Sequence, residues 1–94
     1  MKYSIRIDLD RMAYDSAERL KEFGGFSVYL IDSYTETYYS FDEARGILNA
    51  FGNGSNFIYR AFLETQDKDV VISLVELLDE DPYVLNFSYS RSSI

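Results

Sequence analysis

The sequence contains no cysteine, no histidine and no tryptophan, and it has a single proline. Without cysteine the chain forms no disulfide and offers neither a thiolate ligand for zinc nor a cysteine nucleophile. Without histidine it lacks the base of a Ser-His-Asp triad and the imidazole that most transition-metal sites use. These absences exclude several large enzyme classes. No catalytic residue, metal site or cofactor is expected.

Positive charge is also scarce, because 9 Lys and Arg stand against 16 Asp and Glu, for a net charge of −7. Binding of phosphate backbones needs Lys and Arg to displace counterions, so direct contact with nucleic acid is not expected. No apolar run approaches the ~18 residues of a membrane span. The start of the chain carries charges among its apolar residues and does not resemble a signal peptide. We therefore expect a cytoplasmic protein that makes no membrane contact.

Hydrophobic residues make up 47% of the 94 residues, and aromatic residues make up 17%, with nine Tyr and seven Phe. A disordered chain is much less apolar than this. The length fits one folded unit. The sequence therefore predicts a single compact domain spanning residues 1–94.

Hydrophobic periodicity divides the chain into alternating strands and helices. Residues 2–9 alternate strictly between apolar and polar side chains, as in a strand with one buried face. A helix that carries Ala13, Ala17 and Leu20 follows, and Gly24 suits its end. Later patterns predict strands at 26–32, 36–40, 57–63 and 83–89 and helices at 44–51 and 70–79.

Two of the predicted helices have specific local signals. Ser40-Phe41-Asp42-Glu43 has the form of a capping box, with Ser at the N-cap and Glu at N3, and residues 52–55 (Gly-Asn-Gly-Ser) end that helix. The helix at 70–79 has a core stripe that Val70, Ile72 and Leu77 widen, so few of its residues are polar. We therefore expect it to be the most buried helix.

A weak internal repeat suggests the topology. Tyr14-Asp15-x-Ala17 recurs as Phe41-Asp42-x-Ala44, and each copy lies in a strand–helix–strand unit. Two such units in tandem form a ferredoxin-like βαββαβ antiparallel sheet with helices on one face, to which the last helix and strand are added. This α+β fold would leave the second sheet face open, with candidates for that face at Arg6, Tyr29, Ile31, Tyr38, Arg60 and Phe62.

Asp8-Leu9-Asp10 ends the first predicted strand. Residues i and i+2 of a strand point to one side, so the two carboxylates are placed to share a divalent cation. An aspartate that ends the first strand of a ferredoxin-like fold resembles the Cas2 and VapD ribonuclease-like families. That resemblance implies a metal-dependent nuclease that uses Asp8. The structural alternative is a solvated Asp8 and an Asp10 that caps the following helix.

Four carboxylates cluster at the end of the last predicted helix, namely Glu76, Asp79, Glu80 and Asp81. Acidic side chains at this position oppose the helix dipole, whose C-terminus favours cations. A local rule that is broken without local compensation often marks a functional site. Tyr34 and Glu36, in the turn between two predicted strands, form a second candidate patch. The alternative for both is ordinary surface charge and aromatic packing.

These observations predict a small acidic, non-enzymatic binding protein that blocks or modulates a basic, nucleic-acid-handling partner protein. Carboxylates speed association with a basic cleft, and tyrosines supply the lasting contact. The size and charge resemble those of the small acidic inhibitors encoded by phages and mobile elements, among them anti-CRISPR proteins and nucleic-acid mimics. The exposed strand edges of a small sheet also favour a homodimer as an additional expectation.

Overall fold

A computed structural model describes residues 1–22, 25–51 and 56–92. Every strand and helix predicted from periodicity is present, which confirms the mixed α+β class. The predicted end signals at Gly24 and at residues 52–55 lie outside the described residues. None of the described helices combines the length and apolarity needed to cross a membrane. In chain order the elements are β1 (Lys2–Asp10), α1 (Tyr14–Glu22), β2 (Ser27–Asp32), β3 (Thr37–Ser40), a 3-10 turn (Phe41–Glu43), α2 (Ala44–Phe51), β4 (Phe57–Thr65), α3 (Lys68–Asp79) and β5 (Val84–Ser92).

The five described strands form one sheet in the order β3-β2-β4-β1-β5, and all neighbouring pairs are antiparallel. The β2–β3 hairpin and the antiparallel sheet are confirmed. The ferredoxin-like order expected for the first four strands is not, because β4 lies between β1 and β2 while β3 forms an edge. β5 is also no appendage: it pairs with β1 along most of the length of both strands, which satisfies the second edge of β1.

The core lies on one face of the sheet. In β1 the alternate residues from Tyr3 to Leu9 are buried, and Tyr59 and Ala61 of β4 pair opposite Leu9 and Ile7. All three helices contribute to the same cluster, which places them on this face. Their buried members are Ala17, Leu20, Ala44, Val71, Leu74 and Leu78. The opposite sheet face therefore carries no helix of the described chain.

An aromatic cluster joins the first two helical regions to the sheet. The Tyr14 and Phe41 rings stack with centroids 5.0 Å apart, and the Tyr59 ring lies 5.9 Å from that of Phe41. The capping box predicted at Ser40 is wrong, since the Ser40 side chain makes no cap hydrogen bond and a 3-10 turn begins the helix instead. Phe41 is buried against Tyr14 and Tyr59, and this packing, not a cap hydrogen bond, holds the 3-10 turn in position.

Tyr59 provides a test of this cluster. Its side chain is fully buried, and its hydroxyl has no hydrogen-bond partner among the described residues. Burial raises the pKa of Tyr59 to about 12. Because a buried hydroxyl without a partner is unfavourable, we expect Tyr59→Phe to keep or increase the free energy of unfolding, by up to ~1 kcal/mol.

Urea denaturation of the two proteins measures this effect. Tyr38→Phe is the matched control, because the Tyr38 hydroxyl accepts a 2.9 Å hydrogen bond from Arg60 Nη1. That variant should lose stability. A loss of ~1 kcal/mol or more in Tyr59→Phe would instead mean that its hydroxyl is satisfied in solution.

Candidate functional site

Helix α3 and its C-cap Glu80 carry three of the five acidic residues predicted to bind a partner. The helix begins at the N-cap Asp67, whose carboxylate accepts a 2.9 Å hydrogen bond from the backbone N–H of Asp69. Asp69, Glu76, Asp79 and Glu80 follow one another at helical spacings of seven, three and one residues, and all four are exposed. They extend ~16 Å along α3 outside its buried stripe of Val71, Leu74 and Leu78, and Asp79 also borders a hollow beside β5. We call these four residues the acidic stripe.

The negative charge of the acidic stripe is not compensated locally. Within the described parts of the chain, no ion pair or hydrogen bond engages the side chains of Glu76, Asp79 or Glu80. The last turn of α3 contains no basic residue. Carboxylates therefore face the negative end of the helix dipole, at a cost of roughly a few tenths of a kcal/mol per exposed charge. A basic partner surface would relieve this repulsion.

Apolar side chains are exposed beside these charges. Only Val71, Leu74 and Leu78 of α3 are buried, while Ile72 and Leu77 are 46% and 69% exposed. α3 has three buried residues, more than α1 with two or α2 with one, but eight of its twelve residues are exposed, so it is less covered than its apolar sequence predicts. A helix packed on a sheet by one side covers one stripe of its own surface, so the remaining apolar residues of α3 stay in solvent. Exposed apolar side chains with a polar rim are typical of interaction surfaces.

A groove between α1 and α3 lies on one flank of the acidic stripe. It has a volume of about 540 Å³ and is open to solvent. Leu20, Leu74 and Leu78 line its inner part, while Arg19 and Glu80 lie among its polar residues. The groove places apolar surface directly beside a carboxylate of the acidic stripe.

Asp81, the fourth residue of the predicted cluster, has a different environment. It is half-buried, and its Oδ1 accepts a 2.9 Å hydrogen bond from the backbone N–H of Tyr83. Its Oδ2 accepts a 3.1 Å bond from the Ser16 hydroxyl of α1. Asp81 therefore holds the turn between α3 and β5 and links it to α1. Its carboxylate is less available to a partner than those of Glu76, Asp79 and Glu80.

The second predicted patch lies elsewhere on the molecule. Tyr34 is 84% exposed in the β2–β3 turn, and Glu36 has a left-handed backbone with φ of 55°. Asp32 supports this turn, since its Oδ1 accepts a 3.0 Å bond from the N–H of Tyr34. The hairpin forms the edge of the sheet opposite β5. Tyr34 and Glu36 are thus not brought together with the acidic stripe.

The open sheet face carries the residues proposed for it. Strand register places Arg6 opposite Phe62, Tyr29 opposite Arg60 and Ile31 opposite Tyr38. Directly paired residues share a face, and residues two apart on one strand do so as well. The six predicted residues therefore share the helix-free face. The Tyr29 ring makes edge contacts with those of Tyr38 and Phe62.

Asp8 lies at the centre of this open face and is bound by two arginines. Arg60 Nε lies 2.8 Å from its Oδ1, and Arg6 Nη2 lies 3.1 Å from its Oδ2. Burial by itself would raise the pKa of Asp8, which is only 6% exposed. The hydrogen bonds and charges of Arg60 and Arg6 outweigh burial and hold that pKa below its usual value. We call Asp8, Arg60 and Arg6 the ion triad.

The ion triad gives little support to a metal site. Both oxygens of Asp8 are already occupied by guanidinium groups. Asp10 Oδ1 accepts a 2.8 Å bond from the N–H of Met12 and closes the turn before α1. Within residues 1–22, 25–51 and 56–92, no three acidic, histidine or cysteine side chains are grouped closely enough to hold a metal ion. The structure therefore gives Asp8 an ion-pairing environment.

The sequence alone predicts Asp8 to be either solvated or a metal ligand, and it does not reveal the two arginine partners of Asp8. The alternation of β1 places Asp8 and Arg6 on one face, so the pairing of these two residues could have been predicted from the sequence. Arg60 is 52 residues away, and its position depends on β4 lying next to β1. The chain matches no protein-family model, no curated protein and no solved structure. The proposed function therefore rests on the geometry of the described residues.

Proposed function

We propose that this chain is a small acidic, non-enzymatic binding protein that docks on a basic partner protein through the acidic stripe of α3. The observation that carries the proposal is the exposure of Glu76, Asp79 and Glu80, without ion partners among the described residues, beside the exposed Ile72 and Leu77. Charge and apolar area occur on one rigid helix. A surface that serves solubility alone requires the charge but not the exposed apolar side chains beside it.

The carboxylates and the apolar side chains have separate roles in binding. The row of carboxylates attracts a basic cleft over a distance of about one Debye length and raises the association rate. The leucine and isoleucine side chains and the adjoining groove then supply contact that salt does not screen. Asp81 supports the surface from behind by fixing the end of α3 against α1.

A cleft that normally binds phosphates fits this surface best, because a helical row of carboxylates presents regularly spaced negative charge. We therefore propose that the partner is a nucleic-acid-handling protein in the cytoplasm, and that binding blocks or modulates it in the manner of a phage-type inhibitor. An anti-CRISPR protein or a nucleic-acid mimic is the functional class meant. The net charge of −7 supports the same proposal.

We also infer a ferredoxin-like core from β1, β2, β4 and β5. β4 lies between the parallel strands β1 and β2, and β1 lies between the parallel strands β4 and β5. Two βαβ units that split each other in this way make up the ferredoxin-like arrangement. In this interpretation β3 and α2 are an insertion after β2.

Affinity capture tests the proposed function. The wild-type chain and a neutralised variant (Glu76→Gln, Asp79→Asn, Glu80→Gln) serve as baits for a bacterial lysate at low and high salt. We expect the wild type to retain a basic nucleic-acid-handling protein that high salt elutes. The neutralised variant should not retain it, because steering is lost.

The matched control removes three charges from another helix, with Asp15→Asn, Glu18→Gln and Glu22→Gln on α1. This control keeps the same net charge as the neutralised variant and should still capture the partner. Equal capture by all three baits would show that α3 is not the binding surface. Recovery of nucleic acid alone would contradict the proposed partner class.

A further inference from the structure

We infer that two copies of this chain form a dimer by antiparallel pairing of β5 with β5 of the second copy, which joins the two sheets into one of ten strands. This inference goes beyond the proposed partner binding. Glu76 and Glu80 of the acidic stripe do not line the hollow beside β5 and stay accessible in such a dimer, whereas Asp79 borders that hollow. The argument rests on the free edge of β5, its uncovered side chains and the charges at its two ends.

The first observation is that β5 is a long edge strand. It runs from Val84 to Ser92 and pairs with β1 on one side only. Its register with β1 is regular from Lys2↔Ser92 to Asp8↔Asn86. One row of its backbone N–H and C=O groups therefore has no strand partner in the described chain. Such an edge is a template for pairing with another strand.

The second observation is that the middle of β5 lacks the features that usually protect a sheet edge. Lysines, prolines and inward-pointing charges normally discourage edge pairing. β5 contains no lysine and no proline. Its one charged residue, Arg91, lies near the C-terminal end on the helix side, opposite Tyr3, and the irregularity in its pairing lies at the other end, beside Leu9. Toward the open face it presents Asn86, Ser88, Ser90 and Ser92, which are small and uncharged. The opposite edge of the sheet, β3, has only four residues.

The third observation is that β5 is not covered by the helices. None of its residues is buried, in contrast to β1. Tyr89 is 54% exposed on the helix side, and its ring contacts that of Phe87 at 6.4 Å between centroids. A two-fold axis at Ser88 would set Phe87 of each copy opposite Tyr89 of the other. Aromatic pairs across antiparallel strands stabilise a sheet, and this pairing would bury both rings.

Charge indicates that the occupant of this edge is a second copy. Arg91 lies at the C-terminal end of β5 and forms no ion pair with a described residue. Asp79 and Asp81 lie beside Val84 at the N-terminal end, where the three residues line one hollow. Antiparallel pairing brings the positive end of each strand to the negative end of the other, so the attraction occurs twice. These two contacts offset part of the repulsion between two copies that each have a net charge of −7.

Sedimentation equilibrium of the full chain, over a hundredfold range of concentration, tests the inference. We expect the wild type to reach twice the chain mass of 10.9 kDa. Tyr89→Lys places a charge in the pairing edge, and Arg91→Glu makes both end contacts repulsive. Each should raise the dimer Kd by ~10-fold or more. Tyr34→Lys, at the opposite edge, is the matched control and should leave the Kd unchanged.

A charge swap tests the strand direction. Arg91→Glu combined with Asp79→Arg should restore the dimer, because each antiparallel end contact becomes attractive again. Circular dichroism confirms that each variant is folded. A wild type that stays monomeric at all concentrations would overturn the inference, as would a dimer that Tyr89→Lys and Arg91→Glu leave intact. Failure of the swap in a folded chain would overturn the antiparallel arrangement.

Discussion

Arg60→Ala is expected to lower the free energy of unfolding by about 3 kcal/mol, which for a domain of this size corresponds to a fall in Tm of roughly 12–24 °C. Arg60 donates to Asp8 from Nε at 2.8 Å and from Nη2 at 3.4 Å, and its side chain is only 17% exposed. Its removal leaves a buried carboxylate with Arg6 as its remaining cation. Losing one partner of a buried pair costs more than the intact pair contributes, because the other charge stays desolvated.

Thermal and urea denaturation measure this change. Lys2→Ala is the matched control, since it removes the Lys2–Glu64 ion pair at 2.9 Å, whose side chains are 43% and 64% exposed. That variant should lose no more than ~1 kcal/mol. Arg60→Lys, which keeps a positive charge but loses the paired donors, should fall between the two. Equal stabilities for Arg60→Ala and Lys2→Ala would contradict a buried ion triad.

The pH dependence gives an independent check of the same residues. The folded pKa of Asp8 is depressed below its ordinary 3.8, so its contribution to stability is present above that pH. This contribution is lost as the pH falls through the folded value. In Arg60→Ala the depression of the pKa is smaller. Below about pH 4 the variant should therefore lose less stability than the wild type, and the gap between the two should narrow.

Charge reversal of the acidic stripe is expected to have the largest effect on binding. Glu76→Lys, Asp79→Lys and Glu80→Lys together exchange three attractive charges for three repulsive ones. We expect the affinity for the captured partner to fall by ~100-fold or more, mainly through slower association. The Tm should stay the same or rise, because lysines near the C-terminus of α3 suit the helix dipole.

A variant that binds the partner more weakly but keeps or raises its Tm has lost binding residues and has not simply unfolded. Asp81 is left unchanged because its bonds to Ser16 and Tyr83 hold the turn. Surface plasmon resonance at two salt concentrations gives the rates, and calorimetry gives the Tm. Wild-type affinity in the folded variant would rule out the acidic stripe as the binding surface. A large fall in Tm would contradict the unpaired state of these carboxylates.

Local pattern was sufficient to predict the elements and the open sheet face. The alternation from Lys2 to Leu9 fixes which residues of β1 face the core, and strand pairing then carries the same division across the sheet. Arg60 and Tyr38 consequently occupy the face expected for them. Successive side chains of a strand point to opposite faces of the sheet, so the residues that share a face can be predicted from the sequence of that strand alone.

Strand order and the burial of α3 could not be obtained in the same way. The pairing of β1 with β5 depends on contacts between the two ends of the chain, which no local pattern encodes. The apolar residues around α3 predict a buried helix, but only Val71, Leu74 and Leu78 meet the sheet. The cluster of carboxylates at the end of α3 is visible in the sequence because acidic residues there oppose the helix dipole. The ion triad was missed because it depends on strand order.

The central position of β1 has a consequence for how the protein folds during synthesis. β1 leaves the ribosome before the other four described strands, yet its two hydrogen-bonded neighbours, β4 and β5, are the latest of the five to be made. The β2–β3 hairpin can close early because its contacts are local. The pairing of β1, in contrast, cannot be completed before β5 has been made. Both edges of β1 therefore stay without a strand partner until β4 and β5 have emerged, and the exposed strand depends on rapid assembly at that point to avoid aggregation.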